Sequence, residues 1–123
     1  MAAFRAPDPG QLRSRITITR TVTRALDADG YPMTVTETLC DGHAARVEAG
    51  LGFDTALRDE ARHVQQLTVT MRYVAGVDER CRAFLHGEGD PARAADWWRV
   101  IGLYDPDGRR GWLCLTLERV VPQ

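Results

Sequence analysis

The stretch RITITRTVTR, residues 15–24, constrains the fold more than any other part of this chain. From Arg15 to Thr23 every second residue is polar, and Thr17, Thr19, Thr21 and Thr23 fill four of those places. Ile16, Ile18, Arg20 and Val22 stand between them. A period of two puts these sets on opposite faces of a strand. The β-branched residues at most positions favour the same conformation. One face is therefore greasy, and the other carries arginine and threonine hydroxyls.

The pattern returns along the chain. After ALDADGY, where Asp29-Gly30 marks a turn, Tyr31, Met33, Val35 and Leu39 are expected on one face and Thr34, Thr36 and Thr38 on the other. Together with 15–24 this predicts a long hairpin. A short, alanine-rich strand is predicted at 43–49. QLTVTMRYV alternates cleanly, with Leu67, Val69, Met71 and Tyr73 inward. Further strands are expected at 80–86, 97–104 and 112–120, separated by polar glycine- and proline-bearing loops. Between the third and fourth strands, Phe53, Ala56, Leu57, Ala61 and Val64 recur at helical spacing, and Asp54 can cap. A short helix at about 54–62 is predicted, with Gly50 and Gly52 before it. Residues 1–14 read as a flexible N-terminal arm containing Pro7, Pro9 and Gly10. Residues 15–121 form a single domain, a small antiparallel β-barrel or sandwich of six to seven strands with one short helix.

Composition narrows the function. A length of 123 residues and 44% apolar content suit one modest core. A formal net charge of -1 gives no whole-molecule attraction to nucleic acid or anionic lipid. All sixteen basic residues are arginine, which excludes a phosphate-loop lysine or a Schiff base. Cys40, Cys81 and Cys114 are widely spaced and odd in number, the usage of a reducing compartment. The opening MAAFRAPDPG lacks the apolar core of a signal peptide, and no apolar run could span a membrane. The expectation is a chain made and kept in a cytoplasm, or in something assembled there.

No catalytic constellation is legible. His43, His63 and His86 are scattered, and Ser14, the one serine, lies in the arm. HGEGD at 86–90 has neither calcium-loop nor zinc-site spacing. No catalytic residue, metal or cofactor is expected. Trp97 and Trp98 are adjacent on a strand, so they point to opposite faces and cannot form one base-stacking platform. One is expected in the core and the other on the far face or an interface, with Trp98 taken as the interface candidate.

The order of weak motifs carries a resemblance. QLRSRITITR, DADGYPMTVTETL, AARVEA, FDTALRDEARHVQQ, LTVTMRYVAGVDERCRAF and DWWRVIGLYDPDGRRGWLCLTLERV follow one another over residues 11–120. This arrangement resembles the head–tail joining proteins of long-tailed phages, also called head-closure, stopper or head–tail adaptor proteins. A departure is HGEGDPARAADWW, several residues longer than that family's tight hairpin.

The resemblance implies a structural virion protein at the head–tail junction, assembled in the host bacterial cytoplasm. It implies a ring beneath the portal that closes the DNA channel and offers a tail-docking surface. Its partners would be a portal or connector adaptor protein, a tail-completion or tail-tube protein, and other copies of itself. Packaged DNA would be a passive neighbour, and no membrane is involved. It further implies a channel or gating segment at 50–64, carried by Gly50, Gly52, Phe53, Asp54, Leu57, Arg58, Asp59 and Arg62. Subunit-interface candidates are Arg15, Thr17, Thr19, Arg20, Trp98 and Arg99. The alternatives are a tail-completion protein at the same junction, or a small nucleic-acid-binding β-barrel.

Overall fold

The computed structural model describes residues 4–49 and 62–122. Six antiparallel strands close into a barrel: β1 (Ser14–Leu26), β2 (Pro32–Ala49), β3 (Arg62–Arg72), β4 (Cys81–Leu85), β5 (Trp98–Tyr104) and β6 (Trp112–Pro122). Their order around the barrel is β1-β2-β3-β6-β5-β4, and β4 closes it by pairing with β1. The mostly β, antiparallel fold expected from the alternation is thus the one observed, as a closed barrel.

Parity explains the core. Ile16 and Ile18 on β1, Val69 and Met71 on β3, and Leu113, Leu115 and Leu117 on β6 all point inward and are buried. Each such side chain contributes roughly 1.5–3 kcal/mol by leaving water. The crossing from β3 to β4 lies over one end of the barrel, where Val77 joins the core and Tyr73 and Val74 pack against it. Arg20, on the inward parity of β1, reaches this crossing. Its guanidinium donates to the Gly76 carbonyl at 3.2 Å and lies 3.7 Å from Asp78 and 3.4 Å from Glu37.

Three expectations need correction. The segments 31–39 and 43–49 are one strand, β2, because Asp41-Gly42 bends the chain without ending it. Register shifts between Ile16 and Ile18, and between Ile18 and Thr19, mark bulges in the facing part of β2, and Gly42 has φ 67°. The bulges also separate Leu39, packed against the core, from Met33 and Val35, which are exposed. Second, Arg62, the last residue of the helix expected at about 54–62, belongs to β3 and pairs with Pro122, and Val64 of the same spacing pairs with Val120, so the length of β6 overrides the local helical spacing. The rest of that helix and the gating segment, with Gly50, Gly52, Phe53, Asp54, Leu57, Arg58 and Asp59, lies outside the described residues. Third, Trp98 is an inner residue, 2% exposed, whereas Trp97 just ahead of β5 faces out.

Of the residues read as an arm, the described part from Phe4 onward touches the barrel wall at Trp112. Phe4 packs on the Trp112 ring, centroids 6.2 Å apart, and Arg72 stacks on the same ring at 4.6 Å. Pro9–Gln11 form one 3₁₀ turn. Among the described residues, no helix is long and apolar enough to cross a membrane.

Candidate assembly surface

The β1–β2 hairpin is longer than the barrel. Pairing of β1 with β4 stops at Arg20, and pairing of β2 with β3 involves only Ala45–Ala49. Residues 21–36 therefore leave the barrel as a two-stranded ribbon, held by Thr21–Thr36, Val22–Val35, Thr23–Thr34 and the pairs beyond. The turn at its tip is built by Asp27, whose carboxylate accepts from the Asp29 and Tyr31 amides at 2.9 Å each. Gly30 supplies the positive φ, 85°, that the turn needs.

The inward parity of the hairpin continues along the ribbon after the core has ended. Tyr31 is 68% exposed, Met33 48% and Val35 37%; Leu26, 67% exposed, pairs with Pro32 beyond a register shift between Thr23 and Ala25 and falls on the other face. The opposite face carries Thr21, Thr23, Thr34 and Thr36. Water is a poor neighbour for such an apolar face, which makes it a candidate interaction surface.

A second feature lies on the barrel's outer wall. Phe84 on β4 faces outward yet is buried, because Trp97 and His86 stack on it at 5.4 and 5.8 Å between centroids. The indole N–H of Trp97 donates to the Pro91 carbonyl at 2.8 Å and fixes the long 86–97 loop against the wall. Asp96 adds a tie by accepting from the Asp90 amide at 3.0 Å.

Beside this cluster Thr17 gathers three strands. Its hydroxyl donates to Asp41 at 3.0 Å, accepts from the Gly42 amide at 3.1 Å, and lies 2.6 Å from Nε2 of His86. A threonine, a histidine and an aspartate suggest a hydrolytic triad, but the roles do not match. The proton of Thr17 goes to Asp41, so the contact to His86 requires Nε2–H as donor, and Asp41 does not orient the imidazole. The group acts as a polar lock between β1, the β2 bulge and the end of β4. Among the described residues no group of three or more His, Cys, Asp or Glu could hold a metal ion.

The interface candidates fall in different places. Thr17 and Thr19 are on the outer wall, Thr17 inside the lock. Arg15 is exposed and donates to the Gly42 carbonyl at 3.2 Å. Arg99 is exposed, 3.8 Å from Glu118. Arg20 ties the β3–β4 crossing, and Trp98 is in the core beneath Arg119, whose guanidinium lies 4.3 Å from its ring centroid. The structure brings together Thr17, Thr19 and Arg99 on one wall and sets Arg20 and Trp98 apart from them. The alternating run at 31–36 hinted at the ribbon, and the outward position of Trp97 could have been read from Val100, which shares the parity of Trp98 across the charged Arg99.

The burial of the thiols is equally structural. It pushes Cys40 and Cys81 up from the ordinary thiol range, which suits packing more than reactivity.

A β-barrel with a polar lock, an outward ribbon and Phe4 packed on its wall accompanies a match to the family model for phage head completion protein over residues 7–120. The chain belongs to the phage head completion protein family. No curated protein matches it. Head completion is a structural role in the phage particle.

Proposed function

We propose that this head completion protein forms a ring at the head–tail junction, beneath the portal, where it closes the DNA channel and offers the tail its docking surface. The role is assembly without catalysis. The observation that carries the reading is the ribbon of residues 21–36, whose large apolar side chains have no barrel beneath them. A subunit in a ring needs two unlike surfaces that meet around a closed rotation. The ribbon is one such surface and the outer wall around Trp97 is another. A portal or connector adaptor protein would lie on one side of the ring and a tail-completion or tail-tube protein on the other, with packaged DNA passing through.

Split tryptophans and a net charge of -1 speak against a nucleic-acid-binding barrel. The test is to assemble particles without this chain. Heads should fill and then lose DNA, and adding the purified protein should restore DNA retention and tail attachment. Averaged electron micrographs of the portal vertex should then show an added ring. Heads that keep their DNA and accept tails without the chain would overturn the reading.

A further inference from the structure

The threonine face of the ribbon and the loop carrying Trp97 enclose a groove of about 460 Å³, bordered by Thr21, Thr36, Arg82, Pro91, Ala94 and Trp97. Past Arg82 and Trp97 it continues into a hollow of about 240 Å³ that reaches Arg99 and Glu118. The floor is apolar at Pro91, Ala92, Ala94 and Trp97, and its rim carries Arg82, Arg99 and Arg119 beside Glu118. Arg82 stands directly opposite Arg99 in the β4–β5 ladder. Like charges at opposed ladder positions repel, and while Glu118 lies 3.8 Å from Arg99, an anionic group beside the exposed Arg82 would be favourable.

The ribbon has the complementary chemistry. Residues 25–36 carry two aspartates and no basic residue, alongside the exposed Leu26, Tyr31, Met33 and Val35. A chain cannot place its own ribbon in its own groove. Thr21 and Thr36 border the groove, while Val35 and Met33 lie on the ribbon's other face. The occupant must come from another molecule.

We propose that the ribbon of one copy docks in the Pro91–Trp97 groove of the next. Met33, Val35 and Tyr31 cover its apolar floor, and Asp27 and Asp29 approach Arg82 and Arg99. The contact joins two different surfaces, so it repeats head to tail and closes where the rotation allows. This inference rests on the ring reading and supplies the contact that builds the ring.

The experiment uses purified full-length protein with p-benzoylphenylalanine in place of Tyr31, irradiated at about millimolar concentration, the effective concentration of tethered neighbours. Linked peptides are identified by mass spectrometry on mixed light and heavy protein. The expected product joins position 31 of one copy to residues 82 or 91–97 of another. Asp29→Arg keeps the turn, which Asp27 builds, and should lower the yield about tenfold by placing like charges together. Arg82→Asp in the same chain should restore it.

Links to another surface, links only within one chain, or no intermolecular product would overturn the proposal. So would links formed only when portal or tail protein is added and leading to those proteins. The ring reading is tested separately, by whether the chain is present at the portal vertex. A vertex ring whose position 31 links elsewhere sinks the docking proposal alone. The expected link in a protein absent from the vertex sinks the ring reading and leaves the contact standing as self-association.

Discussion

Trp98→Ala and Trp97→Ala, made separately, should differ sharply although the residues are neighbours. Trp98 is fully inside the barrel, and removing a buried tryptophan costs about 3–5 kcal/mol through lost burial and the cavity left behind. Trp97 is half-buried. It loses one tilted stack on Phe84, roughly 0.5–1.5 kcal/mol, and one hydrogen bond to Pro91, roughly 0.5–1.5 kcal/mol. Partial exposure places the total for Trp97 toward the lower end, about 1–2 kcal/mol. A domain of 123 residues has about 6–18 kcal/mol to lose. Trp98→Ala therefore removes a large share of the stability and Trp97→Ala a small one. The assay is urea denaturation followed by far-ultraviolet circular dichroism at the backbone band, compared by transition midpoint and not by amplitude. Equal losses, or a larger loss for Trp97→Ala, would mean that β5 presents the opposite face to the core and would refute the packing argued above.

Two other predictions follow from the polar contacts. Thr17→Val keeps the shape of the side chain and removes the hydroxyl that joins Asp41, Gly42 and His86; it should cost about 1–2 kcal/mol in the same assay, and a change close to zero would show that water replaces the lock. Asp78 is held below the usual carboxylate range, first by the side-chain hydrogen bond from Arg80. A depressed carboxyl adds stability above its ordinary value and loses it as pH falls through the lower, folded value, so wild type should exceed Asp78→Asn at pH 6 and lose that advantage below about pH 4. A gap that stays constant across this range would show that the ion pair contributes nothing through titration.

Parity made the barrel walls legible. In β3 and β6 each inward apolar residue alternates along its strand with an outward one, so Val69, Met71, Leu115 and Leu117 could be placed inside from sequence. Parity failed where a bulge resets it. Asp41-Gly42 looked like a break because glycine commonly ends strands, whereas here it allows β2 to bend and continue. The tryptophan pair was ambiguous taken alone, and the decisive neighbour was Val100. The helical spacing ahead of Val64 carried no information about how long β6 would be, so pairing with a distant strand set the start of β3. The ribbon was legible as a hairpin but not as a projection. Its emergence depends on where β4 ends, and β4 has only five residues.

That short β4 also determines where the wall is weakest. It holds β5 through two residue pairs, Arg82 with Arg99 and Ala83 with Trp98, while β3 and β6 run together from Arg62 to Arg72. A closed wall under load parts first at the seam with the fewest ladder bonds. Here that seam lies along the groove, where the first pair across it is two arginines. A body placed over the groove would bridge the seam like a splint, so a neighbour that docks there would both join the ring and stiffen the cylinder it leans on.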